Sequence, residues 1–394
     1  MKRRMGILWM FLFLCLTACG VDSAPETTAP EETVVVEIPY ETEADNRAYV
    51  GTEIVFAVPL KEDSQEAQVL RDAADVFEKH TGAVVELVLT DKWKTAAQLM
   101  EEGKADIVRF PVEKLGGYKE LLMDLTEMAK QADYDTRSYP VLRQQILDNC
   151  GTLSALACAP EVVGIYYNAG VLEAAGVTAG PENWEDFLTV CKKLNKTGWL
   201  PLSLNEEDVS LALKLHLGDD SKMEAAQIVE LADQILDFVD SGYMMQTAAP
   251  GGHNKLAISN AAMTVGSNTL CNKVEEETYT RLRWGVFPWP GNGSFVSCDA
   301  LAVSSGCANP QAAFDFAMLL ITGEFDQLLT DVAGGISADP NNTPAIDGAD
   351  DVLRSAESEV YEPYSEARQK LAAKLWAGKY KGGKGFTSVW TVTE

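Results

Sequence analysis

Short apolar runs alternate with amphipathic segments along the chain from residue 52 onward. The runs Glu53–Val58 and Val84–Leu89 are typical of buried strands. Between them, over residues 65–80, apolar side chains recur every three or four positions, which predicts a helix with one face against a sheet. Gly82 follows at the place where a glycine commonly ends a helix. This order of elements predicts an α/β fold.

The alternation continues through the middle of the chain. Residues 93–108 predict a second helix and strand, and residues 162–167 predict another strand that leads into a helix. The segment 146–159 resembles a hairpin that turns near Gly151. In open α/β sheets ligands bind at the carboxyl ends of the strands, so the loop 59–64 is a candidate for ligand contact.

The N-terminal segment has the pattern of an export signal. Three basic residues precede the apolar run 6–18, which is too short to span a bilayer. The motif Leu-Thr-Ala-Cys-Gly around Cys19 is similar to a bacterial lipobox, whose cysteine accepts a diacylglyceryl group. We therefore expect residues 1–18 to be a lipoprotein signal peptide and Cys19 to anchor the protein outside the cytoplasm, on the cell membrane. An ordinary signal peptide cut elsewhere is the alternative.

Residues 19–50 have the composition of an extended tether. Proline, threonine and like charges prevail there, with eight acidic residues and one basic residue after Gly20.

The whole chain of 394 residues has a net charge of −27, which argues against unaided binding to nucleic acid. Its length predicts two or three domains or lobes.

Metal and cofactor chemistry has little support in the sequence. Six cysteines follow the signal region at wide, irregular spacing without a C-x-x-C motif, and the three histidines form no paired array. We expect no metal site and no cofactor. An exported chain can form disulfides, but buried free thiols are an equal alternative, and the pairing stays open.

Four blocks of sequence, in a fixed order, are typical of one protein family. They are F-E-K-H-T-G at 77–82, A-D-I with G-G-Y over 105–118, E-V-V-G-I-Y-Y-N at 161–168 with P-E-N-W-E-D-F at 181–187, and A-M-T-V-G at 262–266 with A-A-F-D-F at 312–316. In this order they resemble the extracellular solute-binding proteins of ABC importers, of the maltodextrin-binding type. Beyond Gly335 the resemblance fades.

The resemblance implies a two-lobed, type II periplasmic-binding-protein-like α/β fold. Its lobes would be joined by hinge strands and would close around one solute. From crossings near 159–161, 294–298 and 323–327, we expect two composite lobes. Lobe one combines 51–158 with 299–323, and lobe two combines 162–295 with 328–394.

The resemblance also implies ligand-contacting positions at the edge of the cleft. They are Lys61, Glu62, Phe110, Glu113, Lys114 and Glu161, with Arg109 as a neighbouring candidate. Carboxylates and ammonium groups orient sugar hydroxyls through charge-assisted hydrogen bonds, and an aromatic ring offers an apolar face. The structural alternatives are a surface loop around residue 61, a core ring at 110 and a solvated helix start at 113. Glu161 lies among apolar residues, where an unpaired charge is costly, and this favours a cleft edge.

Two positions depart from the maltodextrin-binding pattern. Asp208 and Asn268 stand where the family often has an aromatic ring, so we expect a shorter or more polar solute than a maltodextrin. Both side chains are candidates for hydrogen bonds to that solute. Trp289, Trp199 or Trp376 would supply a replacement ring.

The function implied by the resemblance is binding without catalysis. The protein would capture a small polar solute, a mono- or oligosaccharide, and deliver it to the permease of an ABC importer. One alternative is the same fold acting as a sensor or adhesin. Another is an exported glycosidase with Glu113 and Glu161 as its two carboxylates, although the chain has no G-x-S-x-G motif, P-loop or dinucleotide fingerprint.

Overall fold

The computed structural model describes residues 47–204, 261–278, 282–290, 293–333, 335–343 and 345–356, with scattered positions between 205 and 260. Cys19, residues 20–46 of the predicted tether, Asp208 and Trp376 lie outside the described residues. Within the described residues, no helix is both long and apolar enough to cross a membrane.

The described strands form one mixed sheet. Its order is β2-β1-β3-β9-β4-β7-β5-β6, with β8 beside β4. The strands are β1 Glu53–Val58, β2 Val84–Leu89, β3 Ile107–Pro111, β4 Ala155–Asn168, β5 Leu200–Leu204, β6 Met244–Gln246, β7 Ala261–Ser267, β8 Trp284–Phe287 and β9 Phe295–Val303. β1 pairs in parallel with β2 and β3, whereas β9 runs antiparallel to both β3 and β4.

Helices connect the strands, as the alternating pattern predicts. The α-helices of the described residues are α1 Gln65–Thr81, α2 Trp93–Glu101, α3 Thr126–Gln131, α4 Pro140–Cys150, α5 Ala169–Ala174, α6 Trp184–Lys196, α7 Thr269–Thr278, α8 Pro310–Ile321, α9 Gly323–Ala333 and α10 Ala349–Ser355. A 3₁₀ turn, Val112–Gly117, follows β3 directly. The strands predicted at both ends of α1 are confirmed residue for residue.

α1 shows why the first helix was predictable. The side chain of Ser64 accepts a hydrogen bond from the backbone N–H of Ala67, which satisfies one of the free donors of the first turn. Leu70 and Phe77 lie on the buried face. Gly82 ends the helix in the left-handed region, with φ of 79°, where a side chain would be strained.

The hairpin predicted around Gly151 is wrong. Residues 140–150 form α4 instead, and Gly151 is its C-terminal cap, with φ of 83° and its N–H on the carbonyl of Leu147. A proline in the first turn suits the start of a helix, and Ile146 is fully buried. A glycine after an apolar run marks a helix end as well as a hairpin turn, and here it marks the helix end.

β4 and β9 form a long antiparallel pair in the middle of the sheet. The pair connects the side that contains β2, β1 and β3 with the side that contains β7, β5 and β6. The first half of β4 adjoins the part of β9 that also pairs with β3, and its second half pairs with β7 and β8. The register between β4 and β9 shifts between Cys158 and Pro160, and Ala159 has a left-handed φ of 44°. The sequence predicts the first crossing between lobes at this point, and the lobe boundaries themselves stay a prediction.

The six cysteines of the described residues are free thiols. Cys191, Cys271, Cys298 and Cys307 are buried, and burial raises the pKa of each of these thiols. Of the two alternatives that the sequence left open, the structure has free thiols, four of them buried and two partly buried, rather than disulfides.

Candidate functional site

A cleft of about 990 Å³ lies along the register shift between β4 and β9. Its walls come from α1, the 3₁₀ turn after β3, α4, the start of α7, and the helices α8 and α9. Its volume is at the upper end of the range found for small-molecule sites in proteins. The polar and charged side chains on its walls include Glu66, Arg109, Glu113, Lys114, Gln145, Asn149, Glu161, Asn268, Asp299 and Asp326.

Arg109 binds two carboxylates on the wall of this cleft. Its Nε donates to Oδ2 of Asp299 over 2.7 Å, and its Nη1 donates to Oε1 of Glu66. Only 16% of the Arg109 side chain is exposed. Burial raises the pKa of the Asp299 carboxyl, and the charge of Arg109 opposes that shift. The sequence did not identify Glu66 or Asp299, although an acidic residue inside the apolar strand β9 was an available signal.

Glu113 and Lys114 lie on the cleft wall as neighbours in the 3₁₀ turn. Lys114 Nζ is 3.6 Å from Glu113 Oε1, and both side chains are about half exposed. The sequence predicts this pair as ligand contacts, and the structure brings both residues to the cleft. Their exposure leaves the remaining donors and acceptors available to a solute.

Glu161 lies in β4, directly opposite Ser297 of β9. Its side chain is exposed on the cleft, and it has no hydrogen-bond or ion-pair partner among the described residues. The neighbouring Val162 is fully buried. Glu161 therefore lies at the edge of the cleft, as its apolar neighbours in the sequence predict.

Asn268 borders the cleft, but its side chain is bonded to the protein. Its Oδ1 accepts from the N–H of Val162 at 3.0 Å, and its Nδ2 donates to the carbonyl of Pro160 at 3.2 Å. The residue is 4% exposed. Asn268 thus ties the start of α7 to β4 just beyond the register shift.

Three other predicted residues lie away from the cleft walls. Lys61 and Glu62 are exposed in the loop after β1 and do not line the cleft. Phe110 is fully buried against Trp93 and Tyr118. Because successive strand residues face opposite sides, Arg109 and Phe110 cannot both face the cleft, and Arg109 is the one that does.

Trp289 is a core residue rather than a ring on the cleft. It is 2% exposed, and its Nε1 donates to Nδ1 of His216 at 3.0 Å. Trp184, at the start of α6, is partly buried and packs against Trp289 and Phe187. The indole of Trp289 therefore has its polar group satisfied inside the protein.

Asp326 of α9 is a buried acid on the cleft wall that the sequence did not identify. It accepts hydrogen bonds from Ser337 Oγ and, at 2.8 Å, from Asn342 Nδ2. Burial raises the pKa of its carboxyl to about 6. Asp339 is fully buried close by.

A second, smaller cavity of about 450 Å³ lies at the carboxyl ends of β1 and β3. Arg109 and Asp299 line it as well as the main cleft, so their ion pair lies at the boundary between the two. Its wall also includes the start of α2, with Lys92, Trp93 and Lys94. The described residues contain no group of three or more histidine, cysteine or acidic side chains placed to hold a metal ion.

Solved structures with the same fold are solute-binding proteins. The apo form of RafE from Streptococcus pneumoniae aligns with a TM-score of 0.64 at 15% identity, over 88% of this chain and 99% of that chain. A probable secreted solute-binding lipoprotein from Streptomyces coelicolor has a TM-score of 0.61 at 14% identity, over 82% and 93%. The GacH receptor of Streptomyces glaucescens has 0.54 at 18% identity, over 83% and 93%.

These alignments confirm the predicted α/β, type II periplasmic-binding-protein-like fold. A sequence search among curated proteins finds no match. Residues 72–354, well over half of the chain, match the family described as bacterial extracellular solute-binding protein. The family match covers the cleft walls from β3 to α9, including Arg109 and Asp326. The chain therefore belongs to the bacterial extracellular solute-binding protein family.

Proposed function

We propose that this protein captures a carbohydrate in the main cleft and delivers it to an ABC importer. The observation that carries the proposal is the cleft itself, about 990 Å³ in volume and lined by both charged and apolar side chains. A site of this size can enclose an oligosaccharide of a few rings.

The wall chemistry suits hydroxyl recognition. Sugar hydroxyls donate and accept hydrogen bonds, and the carboxylates of Glu113 and Glu161 accept while the ammonium of Lys114 donates. Glu161 is exposed on β4, whose backbone pairs with β9, and Glu113 and Lys114 are exposed on the 3₁₀ turn that follows β3 directly. A rigid frame lowers the entropy cost of ordering side chains around a solute.

The position of the cleft supports capture by closure. It lies along the β4–β9 pair, where the register shifts and Ala159 takes a left-handed conformation. A solute that touches walls on both sides of this pair would favour the state in which both walls reach it. The permease would then distinguish loaded from empty protein by that state.

The solutes of structural neighbours support a carbohydrate. One related structure is described as RafE in complex with raffinose, and the GacH description reports a complex with acarbose. Both share the fold at low identity, so they support the class of solute rather than its identity.

Lipid anchoring through Cys19 completes the proposal. The lipobox-like sequence around Cys19 and the acidic tether after it would hold the binding protein near a membrane permease. Metabolic labelling with a fatty acid in a bacterial host should mark the wild-type chain and not a Cys19→Ala variant. Equal labelling of both would refute the anchor and leave solute binding untouched.

A solute screen tests the central claim. The protein without residues 1–18 should gain thermal stability with one class among mono-, di- and oligosaccharides, amino acids and polyols. Chromatography of the same mixtures should show the sugars unchanged, whereas cleavage products would favour the glycosidase alternative. Stabilisation by amino acids or polyols alone would refute carbohydrate capture.

The transport step needs its own test. Deleting the gene should abolish uptake of the identified sugar while growth on glucose continues. Normal uptake together with a lost transcriptional response to the sugar would favour the sensor alternative instead.

A further inference from the structure

The walls of the main cleft carry more negative than positive side chains. Among the described residues its cations are Arg109 and Lys114. Its carboxylates are Glu66, Glu113, Glu161, Asp299 and Asp326. The chain as a whole has a net charge of −27, so its overall field adds to the local excess instead of offsetting it.

Both cations on the described walls are already engaged by carboxylates. Arg109 donates to Glu66 and to Asp299, and Lys114 lies 3.6 Å from Glu113. An anionic solute that recruited Arg109 would leave two partly buried carboxylates without their counter-ion, which is strongly unfavourable. Arg109 is therefore not available to an anionic solute, and the half-exposed Lys114 lies beside Glu113, so the described walls keep an excess of carboxylates.

Glu161 is in the opposite situation. Its carboxylate is exposed on the cleft and has no partner among the described residues. Its backbone is held in the β4–β9 ladder opposite Ser297, so the charge sits at a fixed place on the wall. An ammonium group placed there would form a charge-assisted hydrogen bond without breaking an existing ion pair.

We propose that the cleft selects solutes with a positive charge, of which amino sugars are the carbohydrate class, and that Glu161 pairs with their ammonium group. This inference rests on the proposed function and narrows its substrate class. A neutral sugar still makes hydroxyl bonds in the cleft but lacks the charge pair. A uronic acid or a sugar phosphate meets the excess of carboxylates and is repelled.

A matched pair of sugars tests the preference. The disaccharide of glucosamine and cellobiose share their β-1,4 linkage and differ in an ammonium or a hydroxyl group at C2 of each ring. Calorimetry at low salt and about pH 6, where a sugar amine is charged, should give about tenfold tighter binding of the glucosamine disaccharide. Added salt should reduce that ratio, since screening weakens exposed charge pairs.

Two variants assign the preference to one side chain. Glu161→Gln keeps the size of the side chain and one acceptor oxygen but removes the charge, so it should remove most of the preference and change the cellobiose Kd by less than about twofold. Glu127→Gln makes the same charge change on α3, at an exposed residue that does not line the cleft, and should leave both affinities unchanged.

The outcomes separate this inference from the proposed function. Equal or tighter binding of cellobiose or of a uronic acid by the wild type would overturn the substrate class and leave carbohydrate capture standing. A preference that persists in Glu161→Gln would overturn the role of Glu161. If no saccharide of either class binds, the proposed function fails, and this inference fails with it.

Discussion

Arg109 reaches diagonally across the β3–β9 pair to Asp299, with 2.7 Å between Nε and Oδ2. In the ladder the backbone partner of Asp299 is Pro111, and that of Arg109 is Leu301. The ion pair therefore links the two strands through their side chains as well as their backbones. It also forms the boundary between the main cleft and the smaller cavity.

Removing Arg109 should destabilise the fold. In Arg109→Met, Glu66 and Asp299 lose their shared counter-ion in a largely buried place, and we expect a loss of about 3 kcal/mol in the free energy of unfolding. Urea denaturation measures it. Lys104→Met breaks an exposed pair with Glu102 and is the control, with a loss below about 1 kcal/mol. Similar losses in both variants would contradict the structural role of Arg109.

Replacing Asn268 should loosen β4 locally. Asn268→Ala leaves the N–H of Val162 and the carbonyl of Pro160 without their side-chain partner, at a cost of about 1–3 kcal/mol. Hydrogen exchange of the Val162 amide should become faster. Ser267→Ala, which removes only an exposed hydroxyl pair with Thr269, should leave that exchange rate unchanged. Unchanged exchange in Asn268→Ala would argue against the bond.

The pH dependence of stability should report on Asp326. Its pKa in the folded protein is about 6, above the ordinary value near 3.9, so the folded state favours the protonated carboxyl. Its contribution to stability is fully present below about pH 4 and is lost as the pH rises through about 6.

The difference between wild type and Asp326→Asn isolates that contribution. The variant should lose less stability than the wild type between about pH 4 and pH 7, as measured by denaturation at each pH. Asp331→Asn, an exposed change on the same helix, should follow the wild type. A parallel decline in wild type and Asp326→Asn would show that this carboxyl does not titrate in that window.

Phe110 offers a test that separates a core residue from a ligand contact. Its ring is fully buried, so Phe110→Leu should cost about 1 kcal/mol or more in stability through imperfect repacking. Solute affinity, measured well below the unfolding temperature, should stay within about twofold of wild type. A large loss of affinity with unchanged stability would place the ring at the solute after all.

Periodicity predicted the elements that are amphipathic and well bounded. α1 has a capping serine, a regular apolar face and a terminal glycine, so its sequence alone specifies a helix. α4 carries only part of that pattern, and Gly151 suits a hairpin as well as a helix end. Only the packing of Ile146 into the core decides between these two structures.

The position of a site residue was predictable where the chemistry of that residue alone restricts its environment. Glu161 stands out because a charge among apolar residues needs an open edge. Arg109 and Phe110 are adjacent in a strand, so deciding which of them faces the cleft required the direction of β3. Glu66 and Asp299 come together only through tertiary pairing with Arg109, and the acid within apolar β9 is a local signal that does not identify its partner.

β9 lies between β3 and β4 in the sheet, although it follows both of them in the chain. The ribosome therefore has to complete residues 295–303 before the centre of the sheet can close. Until then β3 and β4 each lack a neighbour, and the nascent chain is expected to stay open. Late closure of the sheet delays folding until most of the chain has been made, which suits a member of an extracellular protein family.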